Sequence, residues 1–425
     1  MIKIYNTDKI DELIKKLKDR AESEPDDIIP KINAIIGDIK SNGDKALLRY
    51  SREFDKVDSD EIYMSDAERK SLIGKVPVDL RGVMERAAEN ILNFHNAQKQ
   101  QNWMISQNGK VMGQRVLPLQ RVGMYVPGGS AAYPSSVLMS AIPAKVAGVK
   151  DLVMATPPKA DGINPAIICA ADIAGVTKII KIGGAQVIAA LAYGTESIKR
   201  VDKIVGPGNI FVATAKRLVY GTVDIDMIAG PSEVLIIADE TADPKYIAAD
   251  LMSQAEHDVN AASILITTSA ELAVQVQNEL ERQMLTLSRN DIIRQSIENN
   301  GAIVIVDTIA AAIELSDIIA PEHLELAVAN PFEVLGMTSN AGSVFLGEYS
   351  PEPLGDYYAG PNHVLPTNGT ARFASALSVD SFMKKSSYLY YGREALEAIK
   401  DDVTKFAEAE GLTAHANSIK VRFDK

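Results

Sequence analysis

From about Leu117 onward, short β-branched runs alternate with segments of helix length, and this alternation restricts the fold more than any other feature of the chain. Leu152-Val153-Met154-Ala155 reads as a strand and Pro165–Ile173 as a helix. Ile179-Ile180-Lys181-Ile182 precedes a helix over Gln186–Tyr193, and Lys203-Ile204-Val205 precedes one over Ile210–Val219. A helix between two strands returns the chain to the same edge, so the strands run parallel. The pattern starts again at Val234-Leu235-Ile236-Ile237, with a helix over Pro244–Glu256 and strands at Ile264-Leu265-Ile266 and Ile303-Val304-Ile305-Val306. The expected fold class is α/β, with two Rossmann-like parallel-sheet domains, a helical N-terminal region and a helical C-terminal tail. The expected division is a helical segment over 1–25, a first α/β domain made of 26–118 and 233–365, a second over 119–232, and a tail over 366–425.

The first 110 residues read as mostly helical. Leu80, Val83, Met84, Ala87, Ile91 and Phe94 recur at three- and four-residue steps and define one helix face, with His95 at its edge as a packed or half-exposed histidine. The N-terminal helices are available to cover the faces of the α/β unit that begins at Val234. Residues 341–375 are rich in Gly, Pro, Asn and Tyr and lack periodicity, which in a compact protein marks a functional segment. In the tail, Leu396, Ile399, Val403 and Phe406 form an apolar stripe that ends near Gly411.

Composition narrows the function class. The 425 residues are 46% hydrophobic and 24% charged, the balance of a soluble globular protein with a sizeable core. A net charge of −12 repels phosphate backbones and argues against a nucleic-acid partner. The apolar stretch Val137–Val149 is broken by Pro143 and Lys145, so no membrane span is expected. The N-terminus turns polar at once (Asn6-Thr7-Asp8-Lys9), and a cytoplasmic location is expected. The single cysteine, Cys169, lies in an apolar helix and reads as a small core residue rather than a thiol nucleophile.

Chemistry-bearing residues concentrate at element ends and in the irregular segment. There are five histidines, His95, His257, His323, His363 and His415. Gln254 and His257 are three apart near a helix end, which puts both on one face. Asp356 precedes His363 by seven residues. Imidazole and carboxylate are zinc ligands where thiolates are absent. None of the usual metalloprotease or zinc-finger spacings occurs, so spacing alone leaves a metal site and separate packing histidines both open. Pro321-Glu322-His323 follows a helix ending near Ala320. Glu and His in one turn can serve as general acid and base, or simply flank the helix. Three glycine-rich turns, Gly123–Gly129, Gly183-Gly184-Ala185-Gln186 and Gly206-Pro207-Gly208-Asn209, adjoin strand-to-helix junctions. Backbone N–H groups at such junctions suit phosphate oxygens, although the G-x-G-x-x-G fingerprint is absent. Tight turns needing positive φ would look the same.

Taken together, these segments resemble the histidinol dehydrogenase family. The matching blocks are VGMYVPGG (122–129), IGGAQVIA (182–189), VDKIVGPGN (201–209), IAGPSEVL (228–235), ADLMSQAEHD (249–258), APEHL (320–324), LGDYYAGPNHVL (354–365) and LTAHAN (412–417). The resemblance implies zinc ligands at Gln254, His257, Asp356 and His415 and an acid–base pair at Glu322 and His323. It implies substrate contacts at Ser232, His363 and Glu410 together with the zinc ligands and His323, and NAD contacts at Tyr125, Gln186 and Asn209. The implied reaction oxidises L-histidinol to L-histidine with two NAD and one water. The implied assembly is a homodimer with shared active sites, the tail of one subunit reaching the site of the other. A dehydrogenase of another small polar alcohol, or a zinc hydrolase using Glu322 or His323 to activate water, are the competing readings.

Overall fold

The computed structural model describes residues 1–5, 10–22, 28–58, 60–128, 133–159, 162–228 and 230–424, without the side chains of 18–22. Asn6–Lys9, Gly129 and Ala229, which the sequence reading used, lie outside the described residues. The chain forms two compact units, one of residues 1–98 and 119–382, the other of residues 99–118 and 383–425.

The larger unit contains two all-parallel sheets. One has five strands in the order Lys178–Ile180, Asp151–Ala155, Arg121–Tyr125, Lys203–Val205, Asp224–Ile225. The other has six, in the order Lys3–Tyr5, Ala302–Ile305, Ala262–Thr267, Glu233–Ala238, His323–Ala327, Ser343–Leu346. The α/β fold with parallel sheets is thus as the alternation implied. Several elements match the sequence reading to the residue, among them the helices Pro165–Ile173 and Ile210–Val219 and the strand Lys203–Val205. Both helices begin where an Asn side chain accepts a backbone N–H, Asn164 from Ala166 and Asn209 from Val212.

Both faces of the six-stranded sheet are covered, which is why its strands read as unbroken apolar runs. Val234, Ile236 and Ala238 pack with Leu251, Val276 and Ile297 on one side. Leu235, Ile237, Ile264 and Ile266 pack with Leu13, Ile313 and Leu315 on the other. Helix Ile28–Tyr50 covers the five-stranded sheet, with Ile32, Ile36, Ile39 and Leu47 against Val153, Ile180 and Ile188. The N-terminal helices are therefore divided between the two sheets.

Three local expectations change. In helix Val78–Asn96 the buried residues are Met84, Ala87, Ala88, Ile91 and His95, while Leu80, Val83 and Phe94 are exposed. The buried stripe runs through His95, so the histidine is core and not edge. The region expected to be mostly helical also contributes strands, Lys3–Tyr5 and, in the smaller unit, Trp103–Gln107 and Lys110–Pro118. The tail is not purely helical either. Met383–Tyr391 pairs antiparallel with Lys110–Pro118, which pairs antiparallel with Trp103–Gln107. Asn108 and Gly109 join that last hairpin with φ of 49° and 71°, the two positive values that a two-residue turn of matching twist requires. Helices Arg393–Glu397, Lys400–Ala409 and Thr413–Lys420 complete the smaller unit. No helix among the described residues is long and apolar enough to cross a membrane.

Candidate active site

Glu322 and His323 sit where helix Ile309–Ile319 gives way to strand His323–Ala327. The helix ends at Ala320 in the left-handed region, φ 52°, and Pro321 prevents its continuation. The strand then inserts between Glu233–Ala238 and Ser343–Leu346, with His323 opposite Val234 and Ser343. This register brings the pair to the start of strand Glu233–Ala238. The Glu233 N–H donates to Glu322 Oε2 at 3.0 Å, and the Glu233 carbonyl oxygen lies 3.0 Å from His323 Nδ1. His323 Nδ1 is also 3.7 Å from Glu322 Oε2, while Nε2 is buried with no hydrogen-bond partner.

Environment sets the two groups apart. Burial pushes the Glu322 carboxyl well above the usual carboxylate range, and the nearby Glu233 and Asp356 carboxylates add to this. Hydrogen bonds from the Glu233 N–H and Ser232 only partly oppose it. Burial lowers His323, and the neighbouring His257 and His363 oppose its protonation further, against the pull of Asp356 and the Glu233 carbonyl. A more basic carboxylate beside a neutral imidazole is a workable pair for proton transfer near neutrality.

The irregular segment contributes the other half. It holds the short helix Glu352–Tyr357, which carries Glu352 and Asp356 one turn apart. Glu325, on the same strand face as His323, accepts the Glu352 N–H at 2.8 Å and so ties this helix to the strand. His363 Nδ1 lies 3.0 Å from the Asp356 carbonyl and 3.5 Å from its Oδ1. Burial would raise Asp356, but the bond and charge of His363, with His323 and Glu352, hold it down at about 2. Burial and the Asp356 charge drive Glu352 the other way, to about 10. The ionised Asp356 thus receives a hydrogen bond from a protonated Glu352. Behind them Asp250 rises to about 6 through burial, and Glu325 is pushed well above its usual range by burial and by Asp250.

One atom of each of His323, Glu352 and Asp356 can be chosen so that all lie within 4.8 Å of one another, close enough to share a cation. Helix Pro244–Ala255 ends at the same cluster. Ser253 Oγ donates to Glu352 Oε2 at 3.2 Å. Gln254 is almost fully buried and its Oε1 has no partner. His257, half-buried just beyond the helix, donates its backbone N–H to the Gln254 carbonyl at 3.2 Å. Buried polar atoms in folded proteins are seldom left unpaired, so Gln254 Oε1 and His323 Nε2 mark a place built for a ligand. A cavity of about 350 Å³ adjoins His323, Asp356 and His363, with Phe345, Leu354 and Pro361 among its walls.

The glycine-rich turns lie at the carboxyl ends of the five-stranded sheet. Tyr125 is the last residue of its strand and its hydroxyl accepts the Gly184 N–H at 3.3 Å. Gln186 is fully buried, with neither amide atom paired. A Cβ on Gly184 would come within 2.4 Å of its Oε1. Asn209, exposed, caps the next helix at Val212 N–H, 3.2 Å. Strand Asp224–Ile225 of the five-stranded sheet is followed in the chain by strand Glu233–Ala238, at whose amino end Ser232, Glu322 and His323 sit.

The larger unit therefore gathers Ser232, His257, Glu322, His323, Asp356 and His363 around one centre, with Gln254 on the helix whose Ser253 meets Glu352. Glu410 and His415 belong to the smaller unit, both exposed, Glu410 after helix Lys400–Ala409 and His415 on helix Thr413–Lys420. Cys169 is buried in helix Pro165–Ile173, and burial raises its thiol, in keeping with a core residue. Sequence reasoning missed Glu352, Glu325 and Asp250. The one available signal was the four-residue step from Glu352 to Asp356, which puts both on one helix face.

The family model for histidinol dehydrogenase matches residues 18–423. A histidinol dehydrogenase of Clostridium acetobutylicum is 60% identical over 411 residues, covering 96% of this chain and 95% of its own. One of Lactococcus lactis is 52% identical over 421 residues, covering 98% of each. The crystal structure of histidinol dehydrogenase from Elizabethkingia anophelis superposes with a TM-score of 0.94 at 40% identity, covering 99% of this chain and 98% of that one.

Proposed function

The chain belongs to the histidinol dehydrogenase family, and from that premise we propose that it oxidises L-histidinol through histidinal to L-histidine, with two NAD and a zinc ion. The observation that carries the reading is the unpartnered, buried Gln254 Oε1 on the helix whose Ser253 meets Glu352, together with His257 and an ionised Asp356, while His323 Nε2, buried without a hydrogen-bond partner, stays free for proton transfer. Oxygen and nitrogen donors of this kind, with one full negative charge, fit a zinc ion. Gln254, His257 and Asp356 would hold it, with His415 as the fourth ligand that the family resemblance adds. Zinc, when bound, supplies a Lewis-acidic anchor that orients the imidazole and amine of the substrate.

The nucleotide reading rests on Tyr125, Gln186 and Asn209. The unpaired Gln186 amide offers both a donor and an acceptor, which suits a carboxamide or ribose. NAD, when bound, accepts one hydride in each half-reaction. In the first half, His323 Nε2 takes the hydroxyl proton of histidinol as hydride leaves the carbinol carbon. The resulting aldehyde is hydrated before the second oxidation: Glu322 takes a proton of the attacking water as the protonated His323 gives its proton to the carbonyl oxygen. His323, free again after releasing its proton, takes the hydroxyl proton of the hydrate as the second hydride leaves. Ser232, hydrogen-bonded to Glu322, orients that carboxylate.

The test is metal content and nucleotide binding measured on one variant. His257→Ala should lose bound zinc and turnover while its affinity for NADH stays near that of the wild type. Near-normal turnover of His257→Ala at low zinc would overturn the ligand assignment.

A further inference from the structure

The five-stranded sheet reverses direction at one point. From Arg121–Tyr125 the chain steps outward to Asp151–Ala155 and then Lys178–Ile180. It then recrosses to place Lys203–Val205 on the other side of Arg121–Tyr125. In parallel sheets a ligand crevice opens beyond the carboxyl ends of the two strands flanking such a reversal. Here those ends are Tyr125 and Val205, and the next residue is Gly206.

Gly206 is confined. Its φ is 107°, and a Cβ there would sit 2.1 Å from the Tyr125 carbonyl oxygen. Its N–H donates to Asp226 Oδ2 at 2.7 Å, and its carbonyl oxygen accepts from Lys216 Nζ at 2.9 Å. Lys216 and Asp226 are also paired with each other, with side chains only 3% and 1% exposed. The second oxygen of Asp226 accepts the Met227 N–H at 2.7 Å. Lys216 comes from helix Ile210–Val219, and Asp226 directly follows strand Asp224–Ile225. One buried ion pair thus takes up both polar groups of the glycine at the mouth of the crevice.

A buried ion pair is a poor way to obtain stability, because apolar residues of similar volume serve as well or better. What this pair supplies that they could not is a fixed direction for the Gly206 peptide groups. That direction fixes the turn Gly206-Pro207-Gly208-Asn209, whose Gly208 is packed so closely on Val212 that a Cβ would come within 2.4 Å. The pair is neutral as a unit, so it adds no net charge against an anionic cofactor.

We propose that Lys216 and Asp226 are positioning residues for the dinucleotide, holding the Gly206–Asn209 turn in the shape that receives it. The inference rests on the NAD reading above. It is tested with the double variant Lys216→Met/Asp226→Leu, compared with wild type for thermal midpoint, NADH dissociation constant and the KM of histidinol. Lys216→Met alone should lower the midpoint sharply, since it strands a buried carboxylate. The double variant should recover part of that loss, since the Gly206 N–H and carbonyl lose these partners, and should bind NADH about tenfold more weakly, because a preorganised turn has been lost. Its KM for histidinol should stay within about twofold of wild type. Lys216→Arg, which keeps the charge and the donors, should bind NADH within about threefold of wild type. NADH affinity in the double variant equal to wild type would overturn the proposal and leave the pair purely structural. If the double variant does not fold, Asp226→Asn decides in its place: about fivefold weaker NADH binding supports the proposal, and unchanged binding overturns it. A wild-type chain that binds no NADH would instead overturn the nucleotide reading, and the inference with it.

Discussion

His323 Nδ1 faces the carbonyl oxygen of Glu233 at 3.0 Å, across the register of two parallel strands. A carbonyl can only accept, so Nδ1 carries the proton and the neutral ring presents its lone pair at Nε2. Nε2 is the buried nitrogen without a hydrogen-bond partner, 3.9 Å from Glu352 Oε1. Strand pairing therefore selects the tautomer that a general base needs.

The pH dependence of alcohol oxidation follows from this. Burial lowers the His323 pKa below its ordinary value of 6.5. The basic form then persists as the pH falls through 6.5 and is lost only as it passes the lower folded value. The kcat/KM profile for histidinol should hold level through 6.5 and bend down on the acid side of it. A bend on the alkaline side of 7, or the same bend in His323→Gln, would contradict the assignment.

Glu322→Gln separates the half-reactions. The amide oxygen of Gln can still accept the Glu233 N–H, so the fold should survive. Only the aldehyde step needs an activated water. Turnover with histidinal should fall by about 10²–10⁴-fold, the usual contribution of a general base, with a much smaller loss for histidinol to histidinal. Equal losses on both substrates would refute the division of labour. His323→Ala should impair both.

Glu352 is a carboxyl held protonated, its pKa raised from 4.5 to about 10 beside Asp356. A raised folded pKa means the native state binds the proton more tightly than the unfolded chain. Its stabilisation is complete below 4.5 and is lost as the pH rises through about 10. Glutamine copies the protonated group in shape and polarity. Glu352→Gln should unfold in urea within about 1 kcal/mol of wild type at neutral pH, and Glu352→Ala should cost about 1–3 kcal/mol by removing the buried hydrogen bond to Asp356. A loss from Glu352→Gln as large as from Glu352→Ala would show that the carboxyl is ionised in the native state.

Much of the scaffold was legible in the sequence because local signals agreed. Pro165 and Asn164 start one helix and Asn209 starts another, and the apolar runs at Val234–Ile237 and Ile264–Ile266 have the length of buried strands. The stripe on Val78–Asn96 was misread because Leu80, Val83 and Phe94 outweigh His95 in hydrophobicity, although His95 continues the step from Met84 through Ala88 and Ile91. The Asn108-Gly109 turn was a legible hairpin signal, masked by the helical texture around it. Within the site, Glu322 and His323 stood out as adjacent residues. Their hold on Glu233, some ninety residues earlier in the chain, depends on strand register that no spacing rule encodes. Glu352 and Glu325 read as ordinary acids, because burial is a property of the fold and not of the residue.

His95 makes a second pH-dependent contribution. It is fully buried, with Nδ1 2.7 Å from Gln98 Oε1 and Nε2 3.3 Å from Asn362 Nδ2, so its neutral form suits both partners. Burial lowers its pKa from 6.5. The unfolded chain then binds the proton more readily, and the stabilisation present above 6.5 is lost as the pH falls towards the folded value. Urea midpoints should drop on acidification below 6.5, and His95→Gln should flatten that slope while lowering stability at pH 8. An unchanged slope in His95→Gln would assign the acid sensitivity elsewhere.

The central claim is a four-electron oxidation completed at one site, and counting NADH per histidinol tests it most directly. With limiting L-histidinol, excess NAD and zinc-loaded protein, absorbance should report about two NADH for each histidinol consumed, with histidine as the product, as expected when each of two half-reactions delivers one hydride. Prior removal of zinc with a chelator should abolish the signal, and added zinc should restore it. One NADH per histidinol with free histidinal accumulating, or full turnover after chelation, would contradict the account.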